Sequence, residues 1–151
     1  SNKFHGELSS GLINNHKVIA LKPQTFMNRS GLSVKECSSF YKILPENIIT
    51  FHDELDLPDG KIRVKTGGGH GGHNGIRDID AQIGKSYHRV RIGIDHPGDK
   101  DDVSAYVLKK LSQDQQITID ITLDLIVKYI ALLLDGDESL FMSRIAENMP
   151  N

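Results

Sequence analysis

Lys65-Thr66-Gly67-Gly68-Gly69-His70-Gly71-Gly72-His73-Asn74-Gly75 holds six of the chain's 14 glycines. Such density means a backbone that needs positive φ, or one that something approaches closely. Upstream, Lys61-Ile62-Arg63-Val64-Lys65 alternates polar and apolar, the period of a half-buried strand. Downstream, Ile76, Ile79 and Ile83 recur at helical spacing, with Asn74 as the expected N-cap. The stretch therefore reads as strand, glycine loop and helix N-terminus, a place where outward amides favour an anion or an acceptor oxygen.

A literal G-x-G-x-x-G at Gly67, Gly69 and Gly72 invites a dinucleotide-binding reading, which the flanking strand opposes. A strand feeding such a loop is a continuous buried run, whereas residues 61–65 carry a charge at every second position. A phosphate-cradling P-loop is weaker still, because no Lys-Ser or Lys-Thr pair follows the glycines. Two imidazoles and an amide among the glycines argue against a plain flexible surface loop.

At 151 residues the chain is read as one compact domain, 1–151, with 38% hydrophobic and 25% charged residues. No apolar run reaches the roughly 18 residues of a membrane span, and no signal peptide opens the chain. The single cysteine, Cys37, allows no internal disulfide and fits a cytoplasmic location; its neighbours suggest a packed thiol on a helix. Net charge is −2, unevenly spread. Residues 61–100 carry eight Lys/Arg against four Asp, a local +4, so the remainder carries −6. A basic segment in an acidic chain suggests a polyanion contact limited to one face.

Along the chain, residues 4–9 and 16–22 read as a hairpin turning at Gly11–Asn15. A polar-tipped loop follows at 25–31, then a helix from Ser30 to Ile43 that ends before Pro45. Asn47 to Phe51 reads as a buried strand delivering His52-Asp53-Glu54 at its end. Tyr87 to Asp95 reads as another strand, His96-Pro97-Gly98-Asp99 as a type II turn and Val103 to Leu111 as a short helix. Residues 113–134 alternate like a strand but also follow i, i+4. Their length favours a helix, with Gly136 just past its end.

Three features point to one site: the amide of Asn28 in a loop, the acid Asp53 at a strand end, and His73-Asn74 at a helix start. Two carboxamides suit recognition of a peptide or ester carbonyl, and a carboxylate beside an imidazole suits a general base that activates water. A metal site is the competitor, since His70, His73, His52 and Asp53 are ligand types. A mobile glycine loop holds zinc poorly, however, and no cysteine set completes the site. No metal and no cofactor is expected. His88 and His96 read as surface or turn histidines.

Lys22-Pro-Gln-Thr-Phe-Met-Asn-Arg-Ser-Gly31, His52-Asp-Glu-Leu-Asp-Leu-Pro58, Gly67 to Gly75, and His88-Arg-Val-Arg-Ile-Gly-Ile94 with His96-Pro-Gly-Asp-Lys100 resemble, in order and spacing, the bacterial peptidyl-tRNA hydrolases. The resemblance implies an α/β fold, a three-layer α/β/α domain around a mixed sheet. It also implies hydrolysis of the ester joining a peptide to its tRNA, without a metal. Carried over residue by residue, Asn28 and Asn74 would hold the peptidyl part, with Phe26, Met27 and His73 beside them. Asp53 would orient the catalytic imidazole. Lys65, Arg91 and Lys100 would meet the tRNA backbone. The expected partner is peptidyl-tRNA, bound by a monomer away from any membrane.

In that family a central strand and a helix bearing the catalytic histidine come before the segment with which this chain opens. The expectation is therefore an N-terminally truncated domain without its general base. The alternatives to hydrolysis are a non-catalytic RNA-binding module of the same fold and an inactive fragment.

Overall fold

The computed structural model describes residues 1–95 and 111–150. Its first three strands, β1 (Asn2–Lys3), β2 (Gly6–Ile13) and β3 (His16–Pro23), form an antiparallel sheet in that order. The β2–β3 register runs from Gly6↔Pro23 to Ile13↔His16. The turn is thus Asn14-Asn15 alone, tighter than the expected Gly11–Asn15, and Gly11 stays in the ladder opposite Val18. Asn14 takes φ 44°, a left-handed conformation its short polar side chain tolerates. The β1–β2 reversal uses Phe4 and His5 at φ 55° and 57°. The Phe4 ring packs 5.4 Å from Phe40 and 5.9 Å from Tyr41.

Helix α1 (Ser30–Tyr41) follows a 3₁₀ turn at Met27–Arg29, so the expected polar loop is already partly helical. The helix stops at Lys42, whose φ of 56° turns the chain left-handed while its amide donates to Ser38 O and Ser39 O. A second 3₁₀ turn, Pro45–Asn47, begins with proline, whose fixed φ and missing N–H suit that position. It consumes the residues expected to open the next strand, so β4 runs Ile49–Glu54 and includes His52 and Asp53. Nor is β4 fully buried: Phe51 is 41% exposed.

Strands β4, β5 (Ile62–Thr66) and β6 (His88–Gly93) form a second sheet in the order β4-β6-β5. The amides of His88 and Ile94 donate to Ile48 O and Glu54 O, six residues on along both segments, as parallel neighbours do. Between β6 and β5 the direction reverses: Gly93 pairs with Gly60 and Lys61, while His88 meets Thr66. The sheet is therefore mixed. In β5 the expected alternation holds, with Ile62 buried, Val64 half-buried, and Arg63 and Lys65 exposed.

The chain forms two compact units, Ser1–Thr50 with Lys65–Arg89, and Phe51–Val64 with Val90–Asn151. In the first, α2 (Asn74–Ile83) packs on α1. Ile76, Ile79 and Tyr87 form a buried cluster with Val34, Ile48 and Ile83 against it. Each such side chain contributes roughly 1.5–3 kcal/mol on burial. Cys37 is buried on α1 as expected, and burial pushes its thiol pKa up.

In the second unit the ambiguous run is helix α3 (Gln113–Leu134), opened by a capping box between Ser112 and Gln115. Gly136, at φ 85°, lies just past its end. Helix α4 (Glu138–Asn148) was not foreseen from sequence, although Asp137 caps it by accepting from Leu140 N. It packs on α3, and Ile126, Leu133, Phe141 and Ile145 are buried. The turn expected at 96–99 and the helix expected at 103–111 fall on residues 96–110, outside the described residues but for Leu111; Lys100 lies there too.

Candidate functional site

The first unit brings together five of the residues singled out from sequence. Asn28 sits in the 3₁₀ turn, flanked by Phe26, 83% exposed, and Met27, 57% exposed. Asn74 is the first residue of α2 and is itself exposed. The two segments touch, for Met27 Sδ lies 2.6 Å from where a Cβ on Gly75 would stand. Phe26 and Met27 thus stand exposed in the segment that carries Asn28.

Backbone anchoring holds these segments. Ser30 Oγ donates to Met27 O at 2.8 Å, tying the 3₁₀ turn to the start of α1. The Gly31 amide donates to Asp78 Oδ2 at 2.7 Å, tying that start to α2. Gly31 cannot be replaced without cost, because an added Cβ would collide with the Asp78 carbonyl. The carboxylate also completes one of the amides left open at a helix N-terminus. Asn28 and Asn74 are thus carried by elements fixed to each other over one helix turn from each side chain.

The N-cap of α2 is His73, not Asn74. Its Nδ1 accepts from Ile76 N at 3.2 Å. An imidazole nitrogen does the work usually done by a short side-chain oxygen, which leaves the Asn74 carboxamide available. A neutral ring that accepts at Nδ1 carries its proton on Nε2. A proton taken at Nδ1 would therefore cost the cap. His70 is engaged similarly: its Nδ1 accepts from Gly72 N at 3.0 Å, and its carbonyl accepts from His73 N at 2.9 Å.

Lys65, at the end of β5, is exposed. Its Cε and Nζ lie against Gly68, which holds φ 79°, so the ammonium sits over the glycine loop. Below the loop lies a residue that sequence reasoning missed. Arg89 is 3% exposed, and its Nη2 donates to Gly67 O at 2.8 Å and Gly69 O at 3.0 Å. Tyr87, two residues earlier, donates to Asp80 Oδ1 at 2.6 Å; burial first, then that bond, pushes its phenol pKa well up. His88 stands on a strand, not in a turn. It is half-buried on β6, with Nδ1 2.7 Å from Thr66 Oγ1 and Nε2 3.0 Å from Glu46 O.

The second unit holds Asp53 and Arg91. Asp53 is half-buried on β4, and alternation puts it on the same strand face as exposed Phe51. The neighbouring His52 is buried, and its Nδ1 donates to Asp53 O at 2.8 Å. Arg91 does not present a free guanidinium, because its Nε donates to Glu54 Oε1 at 2.9 Å. Burial alone would raise the Glu54 carboxyl pKa. The Arg91 hydrogen bond, the Asp56 amide and the charges of Arg91 and His52 outweigh it and hold the group below the usual glutamate range. Among the described residues no group of three His, Cys, Asp or Glu side chains is placed to hold a metal ion, and no helix is long and apolar enough to cross a membrane.

A family description for peptidyl-tRNA hydrolase matches residues 1–151. The peptidyl-tRNA hydrolase of Rhizobium meliloti (strain 1021) is 49% identical over 146 residues, which is 97% of this chain and 61% of that protein. That of Bartonella quintana (strain Toulouse) is 50% identical over 151 residues, covering 100% and 78% respectively. Among solved structures, a complex of peptidyl-tRNA hydrolase with N-propanol superposes with TM-score 0.92 at 47% identity, covering all of this chain and 78% of the other. The Acinetobacter baumannii enzyme superposes with TM-score 0.89 at 49% identity, covering 96% and 75%. This chain thus spans about 61% of the length of the first of these relatives. The α/β fold, the ordered motifs and these likenesses converge: the chain belongs to the peptidyl-tRNA hydrolase family.

Proposed function

We propose that this chain hydrolyses the ester between peptide and tRNA, and that Asn28 and Asn74 hold the peptidyl part of the substrate. The observation that carries this reading is the contact between the Met27–Arg29 turn and the start of α2, which groups two carboxamides with exposed Phe26 and Met27. Each carboxamide offers one donor and one acceptor face, the pattern a peptide or ester carbonyl with its adjacent N–H requires.

In this reading Asp53 orients the general-base imidazole that takes a proton from the attacking water, a group that none of the histidines described above supplies. The hydroxide equivalent adds to the ester carbonyl, the tetrahedral intermediate collapses, and the tRNA 3′ oxygen leaves with a proton. His70 and His73 do not fit the base role, because the Nδ1 of each already accepts a backbone amide. Lys65 supplies a cation for the tRNA backbone, consistent with the local +4 of residues 61–100. Arg91 reaches a phosphate only by sharing its guanidinium with Glu54, and Lys100 belongs to the same proposed set. The chain works as a monomer in the cytoplasm, where its substrate is made, with no metal or other cofactor.

The test is release of tRNA from an N-blocked aminoacyl-tRNA by the purified chain. Hydrolysis that falls by about 10²–10³ in Asn74→Ala and by about 10²–10⁴ in Asp53→Asn supports the proposal. Salt-dependent tRNA binding with no hydrolysis overturns it in favour of a non-catalytic RNA-binding module. That second reading is favoured by one observation, the engagement of both loop imidazoles in backbone hydrogen bonds.

A further inference from the structure

The glycine loop between Lys65 and His73 has little rigidity of its own. Gly67, Gly68, Gly71 and Gly72 all sit at positive φ, and glycine-rich backbone loses more freedom on ordering than any other. Added side chains at Gly69, Gly71 and Gly72 would meet nothing within 4 Å, so no packing clamps these positions. Polar contacts hold the loop instead. Its second half is closed locally, by Gly72 N to His70 Nδ1 and His73 N to His70 O. Its first half is held by Arg89 from beneath, through Gly67 O and Gly69 O.

We propose that Arg89 is a positioning residue: a buried guanidinium that fixes the Gly67–Gly69 segment, and with it the spacing between the Lys65 ammonium and the His73–Asn74 helix start. Three points support this. At 3% exposure Arg89 cannot reach a phosphate itself. Its bonds go to carbonyls of two residues in the loop, spanning Gly68, against which Lys65 lies. A buried cation is retained only when its donors are satisfied, and neutral carbonyls in place of a carboxylate tie the charge to the loop backbone. Both bonds leave one nitrogen, Nη2, so a single donor atom spans the two carbonyls. The consequence for function rests on the reading that Lys65 meets tRNA while Asn74 holds the peptidyl end. Arg89 then sets how well one substrate satisfies both contacts at once.

The experiment compares Arg89→Lys and Arg89→Gln with the unaltered full chain in two readouts. The first is amide hydrogen exchange, which needs no substrate. Exchange at Gly68–Gly72 should accelerate on the order of 10-fold or more, least in Arg89→Lys, while α2 amides and the unfolding midpoint of Arg89→Lys stay near those of the parent. The second is steady-state hydrolysis of N-blocked aminoacyl-tRNA. Here KM should rise on the order of 10-fold in Arg89→Gln with a smaller change in kcat, and Arg89→Lys should recover part of it. Unchanged loop exchange in both variants overturns the proposal whatever the kinetics show. So does accelerated exchange spread evenly over the whole chain of Arg89→Lys, which marks a merely structural residue. Accelerated loop exchange in a chain whose parent form does not hydrolyse the substrate keeps the positioning role and overturns the functional reading beneath it.

Discussion

Arg89 and Arg91 stand two residues apart on β6, one in each compact unit, and the fold satisfies them in different ways. Arg89 is 3% exposed and its contacts are neutral carbonyls of the glycine loop. Arg91 has a side chain 22% exposed and pairs with the carboxylate of Glu54, itself 15% exposed. The first arrangement holds a segment of backbone in place; the second cancels a charge. The pair depends on ionisation of its acid. From the sequence Arg91 is the expected tRNA contact and Arg89 goes unremarked, whereas the structure gives Arg91 a local partner and Arg89 the more constrained position.

The largest expected effect is on stability in Arg89→Met. Two charge-assisted hydrogen bonds from a buried side chain are lost, so unfolding free energy should fall by about 2–4 kcal/mol, read by denaturant titration. Arg91→Met should cost less, about 1–2 kcal/mol at pH 7, because its site is partly open to water. Equal losses would break the comparison.

The pH dependence sharpens it. Glu54 is held below its ordinary pKa in the folded chain. Its pairing is therefore stabilising above the ordinary glutamate value of about 4.3 and is lost as pH falls through the lower folded value. Thermal unfolding followed from pH 7 to pH 3 should show the Arg91→Met deficit shrinking in acid, and Glu54→Gln should flatten the parent's own acid decline. The Arg89→Met deficit should stay constant over the same range, since carbonyls do not titrate; a deficit that shrinks in acid would mean a carboxylate partner. The smallest effect is in Lys65→Ala. Stability should be unchanged within about 0.5 kcal/mol, while the slope of log tRNA affinity against log salt should fall by about one.

The sequence alone determined the elements whose signals are local. The hairpin, the helical spacing of Ile76, Ile79 and Ile83, the alternation of Lys61 to Lys65, the helix over 113–134 and the glycine past its end could all be read from period and turn chemistry, which act over a few residues. The ordered motifs were also legible, and with them the family. Helix α4 was legible in principle: Asp137 before Leu140, Phe141 and Ile145 is a capping residue ahead of an apolar face.

Tertiary structure alone decided which of several suitable groups takes each role. Whether His73 or Asn74 caps α2 depends on where the chain enters the helix. Whether β4 begins at Asn47 or Ile49 depends on the proline turn before it. That Gly31 meets Asp78 is a contact between residues 47 positions apart. Arg89 and Arg91 have the same residue type and the same strand period, and nothing within β6 distinguishes them. Their difference comes from what lies opposite: a loop of open carbonyls for one and a carboxylate for the other. Burial and pairing depend on distant chain segments, so they follow from the fold and not from the local pattern.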